Sequence, residues 1–314
     1  MGKRFLCLLL AGALLIQPIR AADFITWVDF DVSCAAMERA LAIDLETWEQ
    51  EQHLSWITML ALAATRNGGG QFRSADVDAA AKELRSGKPI QTILGTQYRY
   101  FSYYFEAYSA VLGGLVGSYA IETENGWKPA YGLKAFSPIA AGYGYSHYDD
   151  FGNSRSYGFA RKHLGNDLMG ALGTPIIAVE GGTVEAMGWN QYGGWRVGIR
   201  SLDRKRYYYY AHLRKDAPFA PGLQEGSQVT AGQVIGFMGQ TGYSTTENVN
   251  KIDRVHLHFG LQLIFDESQK DCNAEIWIDV YDLVEFLSKH RSSVVYDSQS
   301  GVWKRIYPYR DLDQ

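Results

Sequence analysis

The sequence predicts an α+β protein in which an N-terminal helical bundle precedes a mainly antiparallel, barrel-sandwich-like β-sheet. Three observations predict this fold class. Apolar residues recur at helical spacing between about residues 33 and 120, and short β-rich segments separated by glycine pairs follow between about 158 and 268. A final helical stripe lies near residues 280–290. With 314 residues, the chain is long enough for about two domains.

The composition is that of an ordinary globular protein, with 46% hydrophobic and 20% charged residues. The formal net charge is -4, so the chain carries no large basic field. Nucleic acid and anionic membrane surfaces are therefore not predicted as partners. Patterning along the chain predicts five segments: 1–22 as a signal peptide, 23–121 as a helical domain, 122–157 as a linker or covering loop, 158–270 as a β-domain, and 271–314 as a helix and tail.

Residues 1–22 have the pattern of an export signal. Lys3 and Arg4 precede a short apolar run, and Ala21-Ala22 offers small residues for cleavage. The run is too short to span a bilayer comfortably. The sequence therefore predicts a secreted or cell-envelope protein, with membrane contact only if this segment stays uncleaved.

The helical segment has clear starts and stops. Residues 54–64 carry an apolar stripe that ends at Asn67-Gly68-Gly69-Gly70, and Ser74 is a favourable N-cap for the next helix. A stripe of aromatic and aliphatic residues between 98 and 115 follows at steps of three and four. We interpret this stripe as a packed core face, and the function of the bundle stays open.

The segment 122–157 is rich in Gly, Tyr and Asp. His147 lies beside Asp149 and Asp150, a grouping that resembles a metal cluster, but a loop histidine near carboxylates is the preferred interpretation. Two cysteines, Cys34 and Cys272, remain after signal cleavage. Whether they pair or stay free is left open by the sequence.

Short β-segments with tight turns fill the region 158–270 and favour an antiparallel sheet. The predicted strands are Pro175–Val179, Thr183–Trp189, Trp195–Arg200, Arg206–Leu213, Gln233–Met238 and His256–Ile264.

The stretch His256-Leu257-His258-Phe259-Gly260 places two histidines on one strand face, because side chains two residues apart point the same way. Leu257 and Phe259 would fill the opposite face. Two imidazoles on a strand with an apolar back suit a metal or acid/base site. On its own the pair also fits two ordinary histidines.

Two further motifs precede this pair. His163 and Asp167 are four residues apart around Gly165, which favours a tight loop, and imidazole and carboxylate are both normal zinc ligands. His212 follows a run of four tyrosines. Strand alternation predicts that Tyr208, Tyr210 and His212 share a face that would line a substrate groove.

Together these motifs supply five candidate groups. A zinc hydrolase commonly uses three protein ligands and keeps one coordination position open. Three groups would therefore suffice to bind the metal, and two would remain for acid/base chemistry. No His-Glu-x-x-His helix is present, so a histidine must replace the usual glutamate base.

The motif series resembles the lysostaphin- and LytM-like zinc endopeptidases, metallopeptidase family twenty-three. It consists of His163-x-x-x-Asp167, then Ala211-His212-Leu213, then His256-Leu257-His258-Phe259-Gly260. The glycine-turn strands at 174–184 and 232–239 match as well, and the likeness extends over about residues 158–265. It implies one zinc ion bound by His163, Asp167 and His258, with His212 and His256 as the catalytic pair beside a zinc-activated water.

The resemblance implies a peptidoglycan endopeptidase, which we take as the leading hypothesis. A non-catalytic wall-binding or regulatory module is an alternative, motivated by the helical segment and the Tyr-rich loop. A zinc peptidase of ordinary proteins is a third. The bond that is cut, the division of labour between His212 and His256, and the oligomeric state are not readable from the sequence.

Overall fold

The computed structural model describes residues 24–156, 160–270 and 274–312. The predicted signal segment 1–22 and Cys272 lie outside the described residues, so export and the pairing of Cys34 stay predictions. Across the described ranges, no helix combines the length and the apolar character that a membrane crossing requires.

Helices dominate the first part of the described chain, and one more helix follows the large sheet. They are α1 (Cys34–Thr47), α2 (Trp56–Asn67), α3 (Ser74–Leu84), α4 (Ile90–Leu94), α5 (Tyr98–Leu112) and α6 (Tyr281–Ser288). Helix α2 ends where the sequence predicts, because Gly68 adopts a left-handed conformation (φ 72°) and its N–H bonds the carbonyl of Ala64. Helix α3 begins at Ser74 itself, with Arg73 in the capping position.

The aromatic stripe of α5 is a core face, as its spacing predicts. Phe101, Tyr108 and Leu112 are buried, whereas Phe105 is 41% exposed. Burial raises the pKa of the Tyr108 hydroxyl well above its usual range, so this ring stays neutral.

The strands are β1 (Val116–Thr123), β2 (Gly126–Leu133), β3 (Tyr145–His147), β4 (Ser154–Ser156), β5 (Ala160–Lys162), β6 (Asn166–Gly170), β7 (Pro175–Ile177), β8 (Gly182–Asn190), β9 (Gly194–Ser201), β10 (Arg206–Ala211), β11 (Gln228–Val229), β12 (Val234–Phe237), β13 (His256–Leu263), β14 (Ile276–Ile278), β15 (Val294–Asp297), β16 (Val302–Arg305) and β17 (Tyr309–Asp311).

The largest sheet has the strand order β11-β8-β9-β10-β13-β6-β3, and β14 adds to β13. Its pairings are antiparallel, and β13 lies between β10 and β6. The α+β prediction is therefore confirmed. Each strand that the sequence predicts has a counterpart that differs by a few residues at its ends. Short runs rich in β-branched, aromatic and aliphatic residues between glycine turns are the reason that these strands can be predicted.

The region predicted as a linker or covering loop is more ordered than expected. Residues 116–133 form the β1–β2 hairpin, and β17 from the predicted tail pairs with β1. Gly and Pro in this stretch are residues that favour turns, so the sequence pattern does not predict the hairpin. The domain boundaries themselves stay a prediction.

Helical and sheet residues share one hydrophobic core cluster. A buried arginine crosses between them: Arg206 on β10 donates to the carbonyl of Ala110 in α5 at 2.8 Å and pairs with Glu180 at 2.8 Å. Tyr208 donates to the same carboxylate at 2.7 Å. This network fixes the helices against the back of the sheet and leaves its other face open.

Candidate metal centre and catalytic histidines

Strand β13 presents His256 and His258 on the open face of the sheet. Leu257 and Phe259 point into the core and are fully buried, as strand alternation requires. His258 lies opposite Asp167 on β6 and opposite Ala211 on β10. Pairing on both sides makes β13 a rigid support for the two imidazoles.

His163 and Asp167 reach His258 because the chain turns sharply between β5 and β6. Gly165 lies at this turn, packed against β13. A Cβ built on it would lie 2.5 Å from the carbonyl oxygen of Phe259 and 2.9 Å from the His258 ring. Any larger residue would push the loop away from β13. The glycine therefore permits the approach that brings the three side chains together.

The three donor atoms converge on one point. His163 Nε2 lies 2.8 Å from His258 Nδ1 and 3.1 Å from Asp167 Oδ1, and His258 Nδ1 lies 3.3 Å from Asp167 Oδ1. Tetrahedral zinc ligands at about 2.0–2.2 Å from the ion are spaced about 3.3–3.6 Å apart. The spacing of these atoms is close to that figure, and they are the group that could hold a metal among the described residues.

Residues around this cluster orient it. His163 Nδ1 donates to the backbone carbonyl of Asp150 at 3.0 Å, which leaves Nε2 of the neutral ring as the lone-pair donor. Arg155 Nη2 lies 2.5 Å from Asp150 Oδ2 and 3.3 Å from Asp167 Oδ2. Sequence analysis missed both roles, since neither residue stands at a recognisable spacing from His163.

His212 reaches the open face by a backbone change that alternation does not predict. Strand β10 ends at Ala211, and His212 has φ 62°, in the left-handed region. Its ring lies 4.7 Å from that of His256 and 5.9 Å from that of His258. A histidine tolerates this conformation better than most residues.

The predicted row of Tyr208, Tyr210 and His212 is therefore wrong. Tyr208 and Tyr210 face the core and are fully buried, and the hydroxyl of Tyr210 accepts from the N–H of Val179 at 3.0 Å. Tyr209 instead lines the open face, with its ring 5.8 Å from that of His258. The left-handed turn at His212 reverses the side on which its side chain emerges.

His212 and His256 each use Nδ1 to bond a backbone carbonyl. His212 Nδ1 donates to the carbonyl of Thr241 and His256 Nδ1 to that of Arg254, both at 2.9 Å. Because each Nδ1 faces a carbonyl, Nε2 is the ring nitrogen that each side chain has available for other contacts. The two histidines line the same cavity of about 350 Å³ as His163, Asp167 and His258.

Burial and charge separate the protonation states of these groups. Burial lowers the pKa of His212 well below its ordinary value, helped by neighbouring His256, and burial also lowers the pKa of His258. Burial opposes the charged form of His163 too, but hydrogen bonds to Asp150 and Asp167 outweigh it and raise its pKa to about 9. Although burial disfavours ionised Asp167, hydrogen bonds from His163 and His258 hold its pKa below the usual range.

His147 does not join a second metal cluster within the described residues. Its Nδ1 lies 3.2 Å from Glu285 Oε1, and its ring stacks on Tyr281 at 4.4 Å. Asp150, the residue that the sequence pairs with it, instead contacts His163. The preferred interpretation of the sequence is a loop histidine near carboxylates: His147 does lie near a carboxylate, that of Glu285, but it ends strand β3 and is not in a loop.

The antiparallel sheet thus brings together a His–Asp–His cluster that could hold a metal ion, beside two further histidines. Residues 161–271 match peptidase family M23. This part of the chain belongs to that family.

Individual relatives match the same region. The chain is 40% identical over 117 residues to L-Ala–D-Glu endopeptidase from Bacillus subtilis, covering 37% of this chain and 34% of that protein. It is 37% identical over 98 residues to lysostaphin from Staphylococcus staphylolyticus, covering 31% of this chain and 18% of that protein. The chain thus spans about a third or less of the length of these relatives.

A solved structure extends the likeness in fold. A candidate glycyl-glycine endopeptidase, lytM, from Ruminococcus gnavus superposes with a TM-score of 0.56 at 22% sequence identity. The superposition covers 85% of this chain and 92% of that one. The likeness in fold therefore extends well beyond residues 161–271, the region that matches family M23.

Proposed function

We propose that this protein is a secreted, zinc-dependent endopeptidase that hydrolyses peptide bonds in bacterial peptidoglycan. One observation carries the proposal: donor atoms of His163, Asp167 and His258 lie within 2.8–3.3 Å of one another, beside His212 and His256. Two imidazole nitrogens this close, beside a carboxylate oxygen, suit a shared divalent cation.

His163, Asp167 and His258 are the residues that would hold the ion. When bound, zinc supplies a Lewis acid that lowers the pKa of water to about 7 and polarises a peptide carbonyl. The hydrogen bond from His163 to the Asp150 carbonyl would keep that ring correctly oriented. Arg155, bonded to both Asp150 and Asp167, would hold the two carboxylates in place.

His212 and His256 would carry the proton chemistry. Both present Nε2 to the cavity, because a backbone carbonyl occupies each Nδ1. Burial keeps His212 uncharged, so it is suited to accept the proton of the attacking water. The ring of His256 lies 4.7 Å from that of His212. In its protonated form, His256 would donate from Nε2 to the developing oxyanion or to the leaving amine.

The substrate class rests on the relatives. One is named for the L-Ala–D-Glu bond, and another is lysostaphin. A third relative, at 32% identity, is named as a peptidoglycan DD-endopeptidase. The export-like pattern of residues 1–22 would bring the protein to its wall substrate.

The test is digestion of purified peptidoglycan by the zinc-loaded protein, followed by mass spectrometry of the released fragments. New amine ends that disappear with a chelator and return with zinc are the expected result. The cleaved bond follows directly from the fragment masses.

Two results would overturn the proposal. Binding to walls without any new amine ends would favour the non-catalytic module. Turnover of casein comparable to that of walls would favour a peptidase of ordinary proteins.

A further inference from the structure

A second cavity continues the groove beyond the metal cluster. It has a volume of about 720 Å³ and shares Arg161, Tyr192, Tyr209 and His258 with the cavity of the catalytic histidines. The two cavities are adjoining sections of one groove along the open face of the sheet. A peptide bound across His258 would therefore extend into the second section.

Two arginines line this second section without a counter-charge. Arg161, on β5, donates to the hydroxyl of Tyr243 at 2.6 Å, but its Nε is buried and has no hydrogen-bond partner. Arg196, on β9, has a buried Nη1 that also lacks a partner. In the part of the chain that the structure describes, neither guanidinium forms an ion pair.

The carboxylates of the same cavity are already engaged. Glu185 lies 2.7 Å from Lys270 and 3.0 Å from Arg200. Glu275 accepts a hydrogen bond from the indole of Trp277 at 2.7 Å. Nearby Arg155 differs from the two lining arginines, because it contacts the carboxylates of Asp150 and Asp167. The guanidinium groups of Arg161 and Arg196 therefore carry positive charge that no carboxylate of the described residues pairs with.

Such an arrangement suits an anionic ligand. A partly desolvated guanidinium without an acceptor is unfavourable, and its planar fork matches a carboxylate. The ring of Tyr192 lies 5.5 Å from the Arg161 guanidinium and that of Tyr243 lies 5.3 Å from it. These rings hold the guanidinium in the groove wall. The ring of Tyr243 also lies 6.0 Å from that of His212, so the positive charge is close to the reacting groups.

We propose that Arg161 and Arg196 form a subsite for a free carboxylate of the substrate, close to the cleaved bond. The inference rests on the proposed function and narrows it: the substrate is an acidic peptide such as a peptidoglycan stem, and not an uncharged glycine bridge. The two arginines are specificity residues and take no part in bond cleavage.

The test uses two peptides that differ at a single group. Both contain L-Ala followed by D-Glu, with the α-carboxyl of D-Glu free in one peptide and amidated in the other. Binding is measured by calorimetry with the full-length zinc-loaded protein carrying His212→Asn, so that peptide is not consumed. Cleavage is measured separately with the unsubstituted protein.

We expect the acid to bind about 10- to 100-fold more tightly than the amide, because the amidated peptide cannot form the charge-assisted hydrogen bonds to the two guanidinium groups. The double variant Arg161→Met/Arg196→Met should abolish this preference, and Arg161→Lys/Arg196→Lys should restore part of it. Arg99→Met, an exposed arginine on α5, is the matched control and should leave the preference unchanged.

Equal affinity for both peptides, no binding of either, or a preference that survives in the methionine variant would overturn the subsite. These outcomes are independent of turnover. If the acid is preferred but neither peptide nor walls are cut, the proposed function fails and the subsite stands. If walls are cut but the acid is not preferred over the amide, the proposed function stands and the subsite fails.

Discussion

Gly165 lies against the imidazole of His258, so that a Cβ built on the glycine would approach Cε1 and Nε2 of that ring to 2.9 Å. The same atom would lie 2.5 Å from the backbone oxygen of Phe259. Because β13 is hydrogen-bonded to β10 on one side and to β6 on the other, it cannot shift to make room for a side chain at residue 165. The position of the His163–Asp167 loop therefore depends on the absence of a side chain at residue 165.

Gly165→Ala should displace the loop and weaken the metal site. We expect zinc affinity to fall by about tenfold or more, the range seen when groups that orient metal ligands are disturbed. Competition with a chromogenic chelator measures the affinity. The control is Gly144→Ala, where an added Cβ meets nothing within 4 Å. Unchanged zinc affinity in Gly165→Ala would contradict the packing argument.

Substituting the two histidines of β13 should have different consequences. His258 contributes a donor atom to the cluster, whereas His256 Nε2 lies 3.7 Å from Asp167 Oδ1. His258→Ala is therefore expected to lose zinc. His256→Ala should retain about one zinc per chain and lose turnover by about 10²- to 10⁴-fold. Elemental analysis and wall digestion on the same preparations measure both quantities. Equal zinc loss in the two variants would refute the ligand assignment.

Pattern analysis recovered the parts of the fold that repeat a simple period. Strand β13 has an alternating pattern, so its buried and open faces follow from the sequence. The tight loop between His163 and Asp167 is also predicted locally, because Gly165 favours a turn. The convergence of β6 and β13 does not follow from any local pattern, because it depends on pairing between Asp167 and His258, which are 91 positions apart. Only the resemblance to a known family predicts that His163, Asp167 and His258 lie together.

The features that the sequence does not predict leave no periodic pattern of apolar residues in it. The left-handed conformation of His212 interrupts β10 after Ala211, and alternation beyond that residue then assigns the wrong face. Asp150 and Arg155 orient the cluster through contacts that join separate loops and hairpins. The β1–β2 hairpin is not predicted because residues 121–129, about half of it, are exposed, so its strands show no regular apolar face. Such features require tertiary contacts to define them.

The buried pair of Arg206 and Glu180 should make a large contribution to stability. Arg206→Ala leaves the buried Glu180 carboxylate without a cationic partner, with only the Tyr208 hydroxyl bonded to it, and removes the contact with α5. We expect the free energy of unfolding to fall by about 3–5 kcal/mol. Chemical denaturation followed by circular dichroism measures the change. Arg39→Ala, which removes an exposed pair with Asp78, is the control and should cost about 0–1 kcal/mol.

A loss at Arg206 no larger than at Arg39 would show that the helices do not depend on this network. A loss confined to the helices, with the sheet still folded, would instead show that the network only joins the two parts. Hydrogen exchange at α5 and β13 distinguishes these cases.

The backbone at His212 offers a way to separate chemistry from folding. Asparagine tolerates the left-handed conformation that φ 62° requires, whereas a β-branched valine does not. His212→Asn should therefore keep the melting temperature and the bound zinc, yet lower kcat by about 10²- to 10⁴-fold. His212→Val should lose a similar amount of activity and also lower the melting temperature, because the strain of an unsuited residue costs about 1–3 kcal/mol. Thermal unfolding and wall turnover on both variants measure the two effects. An active His212→Asn protein would exclude His212 from the proton chemistry, and equal melting temperatures would show that the left-handed turn carries no strain.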